Sequence, residues 1–228
     1  MDDARGQGGE ARDERVDAAA DPVAVAAAMN PGMSSWVALR QRISLPPRAN
    51  VLVVGATGNA GLLAVQVAKL LGAQRVLAAG RDPGRLALLP ALGADEVFAL
   101  DDEALPKAAA DVDVVVDYLW GPPTERLMPA PLTARADRGR PLAWTEIGSV
   151  AGPDVTLPSY LLRAANVSIV GSGQGSVPTA GIVAELPSLA AAIASGTLSV
   201  NPVPMPLSDV TRAWSAPTAP GERVVLVP

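Results

Sequence analysis

Val51-Leu52-Val53-Val54-Gly55-Ala56-Thr57-Gly58-Asn59-Ala60-Gly61, continued by the stretch from Leu62 to Leu71, decides the fold of this chain. An apolar run of strand length ends on a glycine, and two more glycines follow at three-residue spacing. A segment of good helix formers begins at once. Glycines leave room where a Cβ would collide, so backbone N–H groups and a helix N-terminus can approach a pyrophosphate. A lone G-x-x-G-x-x-G carries little weight. Set between a β-rich run and an apolar helix, it marks a dinucleotide site.

The second strand sharpens that reading. Gly72-Ala73 closes the helix, Arg75-Val76-Leu77-Ala78-Ala79-Gly80 is a short buried strand, and Arg81-Asp82-Pro83-Gly84-Arg85 follows. In this architecture an acidic residue at the end of the second strand accepts the adenosine ribose 2′-OH, about 20 residues past the glycines. Gly80 holds that place here, and Arg81 comes next. A small residue with guanidinium groups at Arg81 and Arg85 suits a 2′-phosphate, which is negative and accepts bidentate hydrogen bonds. The plain alternative makes both arginines ordinary solvated charges at a helix start. The first reading implies a cofactor of the NADP(H) type.

Strand and helix patterns alternate through the rest of the chain. Strands are expected at 51–54, 75–79 and 96–99, with helices at 60–71 and 83–92 and a weak unit at 103–109. Further strands are expected at 112–117, within 141–148 and at 166–171. A helix over 124–133, interrupted by Pro129 and Pro131, joins the first two of these. A helix rich in Ala and Leu spans Pro178 to Gly196, and two short strands flank a helix at Ser208 to Trp214. Continuous apolar strands alternating with helices predict an α/β fold, a Rossmann-type doubly wound parallel sheet covered on both faces.

Such sheets bind ligands at the carboxyl ends of their strands, near the reversal of strand order. The rule selects Gly55, Ala56, Thr57, Gly58, Asn59, Ala60, Gly61, Gly80 and Arg81, with Arg85 just beyond. It adds Asp117, Tyr118 and Leu119, then Gly148 and Ser149, then Gly171, Ser172 and Gly173. Of these, Asp117 has the chemistry of a general acid or base, although a carboxylate at a strand end more commonly bonds backbone or ribose. No catalytic residue is assigned.

Ahead of the first strand, residues 1–21 read as a disordered acidic tail, polar and charged. Residues 22–50 form a helical lead-in. It has a small helical patch over Pro22 to Ala28 and a helix over Ser34 to Ile43, capped by Ser34 or Ser35. Trp36, Leu39 and Ile43 share one face of that helix, and Trp36 is expected to pack in the core. Pro46-Pro47 and Asn50 then break the chain.

Composition excludes several chemistries. The 228 residues contain neither Cys nor His, so a disulfide, a Cys nucleophile, a Cys/His zinc site and a Ser-His-Asp triad are all ruled out within the chain. No metal site is expected. Of the net charge of −5, the tail over 1–21 carries −4, leaving no basic face for a nucleic acid. No apolar run approaches the roughly eighteen residues of a membrane helix. The start lacks a secretion signal, so a cytoplasmic location is expected. Tyr118 and Tyr160 lack a lysine four residues on, where Pro122 and Ala164 stand, which argues against a short-chain dehydrogenase pair.

Several stretches together resemble the medium-chain dehydrogenase/reductase superfamily, in its quinone-reductase-like and alcohol-dehydrogenase-like branches. They are Asn30-Pro31-Gly32-Met33-Ser34-Ser35-Trp36-Val37-Ala38-Leu39, the glycine turn, Ala64-Val65-Gln66-Val67-Ala68-Lys69 and Leu92-Gly93-Ala94-Asp95. Val114-Val115-Val116-Asp117, Ile147-Gly148-Ser149, Val170-Gly171-Ser172-Gly173 and the ending from Val203 to Val227 also match. The resemblance spans residues 22–228. It implies a dinucleotide-binding domain over 51–175 and, over 176–228, a helix and strands that return to a GroES-like catalytic domain. That domain, of about a hundred residues, would precede the matching region, and nearly all of it is missing ahead of residue 22. The C-terminal strands are then expected to lack their usual partners and expose their edges.

The resemblance further implies that Ser34 lies near the nicotinamide half of the cofactor. It implies zinc-free hydride transfer from NADP(H) to a quinone, enone or related carbonyl, and a homodimer through the strand from Val167 to Gly171. The alternative is a non-catalytic nucleotide-binding module, either a pseudoenzyme or the product of a truncated gene.

Overall fold

The computed structural model of the chain describes residues 20–228. The tail expected over 1–21 therefore lies, apart from Ala20 and Asp21, outside the described residues. Six parallel strands form the main sheet: β1 (Asn50–Val54), β2 (Arg75–Gly80), β3 (Glu96–Ala99), β4 (Val114–Asp117), β5 (Leu142–Glu146) and β6 (Val167–Gly171). Their order is β3-β2-β1-β4-β5-β6, which reverses direction between β1 and β4. Val54 stands beside Ala79 on one side and Asp117 on the other, so the ends of β1, β2 and β4 meet at the reversal.

Val51–Val54 of β1 and Val114–Val116 of β4 are continuously apolar because both faces of the sheet are covered. On one face Val51, Val53, Ala78 and Val116 pack with Leu62, Leu63 and Trp36. On the other, Leu52, Val54, Leu77 and Val115 pack with Leu127, Leu132 and Trp144. The first face is covered by α1 (Pro22–Val37), α2 (Asn59–Leu70) and α7 (Thr179–Ala194). α4 (Leu105–Ala108), α5 (Gly121–Leu127) and α6 (Pro129–Thr133) cover the second. Leu189 and Ile193 of α7 lie in the same core as Trp36, so α7 packs on the dinucleotide-fold face rather than apart from it.

Helix boundaries depart from the sequence expectation in three places. Ser34 and Ser35 do not cap a helix. Asp21 caps α1 by accepting from Val23 N at 2.9 Å, and the helix runs on through Pro31 and Gly32. Pro31 removes one backbone donor, but the helix is clamped by burial. The absent Cβ of Gly32 would sit 3.6 Å from Leu189 and 3.7 Å from Leu63, so three helices meet there. α1 then widens into a π-helical turn over Ala38–Arg42, closed by Ile43 N donating to Ala38 O at 3.1 Å. Buried Glu185 of α7 holds that turn, accepting from Trp36 Nε1 and Arg40 Nε at 2.7 Å each and from Gln41 Nε2 at 2.5 Å.

The helix expected over 83–92 is broken. α3 (Pro83–Leu86) ends early, a 3₁₀ turn covers Pro90–Leu92, and Gly93 leaves it at φ +106°. Pro90 carries no N–H to continue the α ladder. The segment over 124–133 is likewise two helices, α5 and α6, divided ahead of Pro129.

The C-terminal strands pair with each other. β7 (Asn201–Pro206) and β8 (Glu222–Val227) run in parallel, Val203 beside Val224, on either side of α8 (Val210–Trp214). Gln66 of α2 anchors this ribbon, accepting from Ser199 N at 2.6 Å and donating to Ser199 O at 3.0 Å. The outer edges of the two-stranded ribbon are unpaired among the described residues. No described helix is long and apolar enough to cross a membrane.

Candidate cofactor site

The glycine turn joins β1 to α2 at the reversal of strand order, and its three glycines do not answer to one constraint. Gly55 has φ +86°, a left-handed backbone that other residues seldom adopt, and a Cβ there would come within 3.2 Å of Tyr118 and Leu119. Gly61 has a packing reason: a Cβ would collide with Gly55 O and the Ala56 backbone, so α2 could not lie against the turn. Gly58 has neither reason. Its φ of −76° and ψ of 161° suit any residue, and the nearest atom to its absent Cβ is Gly55 O at an ordinary 3.5 Å. Among the described residues, nothing requires residue 58 to be glycine.

Gly58 is the N-cap of α2 and supplies no capping side chain. The N–H groups of Asn59, Ala60 and Gly61 have no acceptor within the helix and point out of its positive end. They face a cavity of about 470 Å³ whose lining includes Gly55, Thr57, Gly58, Gly80 and Arg81. Asn59, Ala60, Gly61, Arg85, Tyr118 and Leu119 share that lining, so the structure gathers most of the residues selected from sequence into one cleft.

Gly80 is small for a reason inside the protein. A Cβ there would lie 2.7 Å from Thr57 Oγ1 and closer still to the Thr57 methyl, so Thr57 fills the place where an acidic side chain would stand. Arg85 is not a solvated charge. Its Nη1 donates to Thr57 O at 3.0 Å and Asn59 Oδ1 at 3.4 Å, and its side chain is only 21% exposed. Arg81 is exposed on the cleft rim. Asp82 also lines the cavity, 3.9 Å from Arg85 Nε, and offsets one of the two positive charges.

Asp117 does not belong to the cleft. It is fully buried, and four donors consume its carboxylate. Leu119 N at 2.9 Å and Trp120 N at 3.1 Å donate to Oδ1; Thr124 Oγ1 at 2.6 Å and Trp144 Nε1 at 3.0 Å donate to Oδ2. No acceptor atom is left for a ribose, and no water path for acid or base work. Its service is to hold the loop after β4, in which Trp120 is forced to φ +53°. Ala56 lies beneath the turn in the apolar core. Gly171 sits at the end of β6, where its carbonyl accepts from Arg42 Nε at 2.9 Å.

A second cavity of about 240 Å³ lies against α1 and the ends of β5 and β6. It is lined by Asn30, Met33, Ser34, Val37, Ile147 and Ser172, among others including Gly173. Gly148 and Ser149 form the loop between Ile147 of this cavity and Val150 of the first. The Tyr118 hydroxyl lies 2.9 Å from Ser34 Oγ, which itself donates to Pro31 O at 2.7 Å. Burial pushes the Tyr118 phenol up to about 12.

Sequence reasoning missed Leu100 and Val150 in the first cavity and Asn30, Met33 and Val37 in the second. Leu100 immediately follows β3, so the strand-end rule applied to that strand would have found it. Asn30, Met33 and Val37 stand at −4, −1 and +3 from Ser34, one helical face. That pattern is hidden when the helix is taken to begin at Ser34.

The sequence profile of the zinc-binding dehydrogenase family matches residues 60–194. The "Probable NADPH-dependent quinone reductase tdiC" of Emericella nidulans is 33% identical over 238 residues, covering 96% of this chain and 65% of its own length. The solved structure of a thermostable alcohol dehydrogenase from Pyrobaculum aerophilum superposes with a TM-score of 0.66 at 29% identity, covering 87% of this chain and 55% of that one. The quinone oxidoreductase from Thermus thermophilus, solved also in complex with NADPH, superposes at 0.70 with 26% identity, covering 87% and 63%. This chain thus spans between about half and two thirds of the length of these relatives. Its residues do not fit the zinc ion in the family's description: the sequence has neither His nor Cys, and among the described residues no three His, Cys, Asp or Glu gather. By a profile matched over more than half its residues, on the sheet order and glycine turn just described, the chain belongs to the zinc-binding dehydrogenase family of the medium-chain dehydrogenase/reductase superfamily.

Proposed function

We propose that the cleft binds NADP(H) and that the chain serves the reduction of a quinone, enone or related carbonyl compound. The observation that carries the reading is Gly58, a glycine whose Cβ would meet no crowding from the protein and would project at the open end of α2. A pyrophosphate there would accept from the N–H groups of Asn59, Ala60 and Gly61. Arg81 and Arg85 would take the 2′-phosphate, while Thr57 keeps an acidic side chain from position 80. When bound, the dinucleotide supplies the hydride, and the protein's part is to hold and orient it. Ser34, Ile147 and Ser172 would line the space for its nicotinamide half. The relatives named for NADPH-dependent quinone reduction support the cofactor and substrate class.

One observation favours a second reading, a nucleotide-binding module without turnover. The lining of the second cavity includes no ionisable side chain. Calorimetry with NADPH, followed by NADPH oxidation with a panel of quinones and enones, separates the two. Binding with turnover supports the reductase, and binding without turnover supports the module. Absence of NADPH binding removes both.

The proposal includes a homodimer through β6. Among the described residues it is the last strand of the sheet and no strand pairs with its outer edge, whose N–H and C=O groups a two-fold-related copy would pair. Light scattering at micromolar concentration tests it: a dimer mass supports the pairing, and a stable monomer removes it.

A further inference from the structure

Tyr118 links the linings of the two cavities. It lines the first together with the glycine turn, and its hydroxyl reaches Ser34, which lines the second. The phenol therefore spans the gap from the end of β4 to α1. Ser34 has one hydroxyl hydrogen, and the Pro31 carbonyl can only accept it. In the Tyr118–Ser34 contact the phenol is thus the donor, and the raised pKa keeps its proton in place at any ordinary pH.

The backbone under this ring is pinned. Tyr118 N donates to Val54 O at 3.0 Å, and Tyr118 O accepts from Val150 N at 3.3 Å. The two residues that follow are held by the Asp117 carboxylate. A change at this point falls on the side chain and not on the loop. With a pyrophosphate on α2 and the adenosine over the end of β2, the other half of a dinucleotide must cross the end of β4 to reach Ser34, given the strand order. That path leads over Tyr118.

We propose that Tyr118 is a specificity-determining residue of the cofactor site: its ring, latched to Ser34, leaves the adenosine chamber open to any adenosine phosphate but admits the second half of a dinucleotide only when the latch breaks. This rests on the cofactor reading above. Tyr118→Phe keeps the ring and removes the latch. Because Ser34 still donates to Pro31, the change strands no donor.

The test is calorimetry of wild type and Tyr118→Phe with two probes, adenosine 2′,5′-bisphosphate and NADPH. The half-ligand should bind both proteins equally, within about twofold, which also reports a folded site. NADPH should bind Tyr118→Phe roughly three- to tenfold more tightly, the range of one net hydrogen bond. Unchanged or weaker NADPH binding, with the half-ligand unaffected, overturns the partition and leaves the cofactor reading standing. Equal shifts for both probes overturn it as well. If neither probe binds wild type, the cofactor reading falls and takes this inference with it.

Discussion

Arg85 Nη1 donates to the carbonyl oxygen of Thr57 at 3.0 Å, so the guanidinium beyond β2 is tied to the backbone of the glycine turn. The same Thr57 fills the space over Gly80 where an acidic side chain would otherwise stand. One residue of the turn thus both positions a cation and excludes an anion. In the proposed site this would couple the pyrophosphate end of the cleft to its 2′-phosphate end.

Arg85→Ala should weaken NADPH binding by roughly ten- to a hundredfold, since a hydrogen bond to a charged group contributes about 1.5–3 kcal/mol. NADH, lacking the 2′-phosphate, should lose much less. Arg85→Lys should recover only part of the affinity, because an ammonium cannot hold Thr57 O and a phosphate in one rigid fork. Calorimetry with both cofactors reads this directly. Equal losses for NADPH and NADH would mean that Arg85 serves the turn alone.

Asp117→Ala should cost several kcal/mol of stability, since each buried donor left without an acceptor costs about 1–3 kcal/mol. It leaves Leu119 N, Trp120 N, Thr124 Oγ1 and Trp144 Nε1 without their acceptor. Asp117→Asn, which keeps one acceptor oxygen, should cost less. Denaturant unfolding followed by tryptophan fluorescence measures both, and Trp144 is a reporter in contact with the site of change. A fully stable Asp117→Ala with altered turnover would instead return Asp117 to the chemistry.

Glu185 should make stability fall in acid. Burial alone would raise its pKa, but hydrogen bonds from Gln41, Trp36 and Arg40, with the Arg40 charge, outweigh burial and hold it below the ordinary 4.5. A carboxyl with a depressed folded-state pKa stabilises the fold above its unfolded value, and the unfolded chain takes up the proton first as pH falls. Its contribution is therefore complete above about pH 4.5 and is lost as pH drops through the lower folded value. Glu185→Gln should be less stable than wild type at pH 7, and the gap should narrow below pH 4.5 in thermal melts. A gap that is constant with pH would show that the Glu185 charge does not hold the π-helical turn.

The sheet was legible because its strands are continuous apolar runs closed by glycine or a charge, as at Val51–Gly55 and Val114–Asp117. Helix ends were less so, because proline does not have one effect. Pro90 and Pro129 interrupt helices at or near the surface, whereas Pro31 sits inside α1, where packing against α2 and α7 outweighs one lost hydrogen bond. The cleft was legible through its glycines and strand ends, all local signals. The place of Asp117 was not. A strand buried on both faces shows no alternation to tell which way its last side chain points, and one of the partners that claim Asp117, Trp144, lies 27 residues further on. The same holds for Ser34 and Tyr118, which are 84 residues apart.

The most direct test of the account concerns Gly58, since the fold itself leaves room for a side chain there. Gly58→Val places a branched side chain at φ −76° and ψ 161°, a region valine favours. Against it stands only a poorer helix N-cap, a matter of about 1 kcal/mol. Gly61→Ala, whose Cβ would strike the turn backbone, is the control that should damage the fold. NADPH titration by calorimetry, with a thermal melt of the same samples, is the measurement. The account predicts a Gly58→Val protein that melts cooperatively near wild type and binds NADPH at least roughly a hundredfold more weakly, a loss of about 2.7 kcal/mol. A well-folded Gly58→Val with wild-type NADPH affinity would contradict it, because the turn would then hold no phosphate.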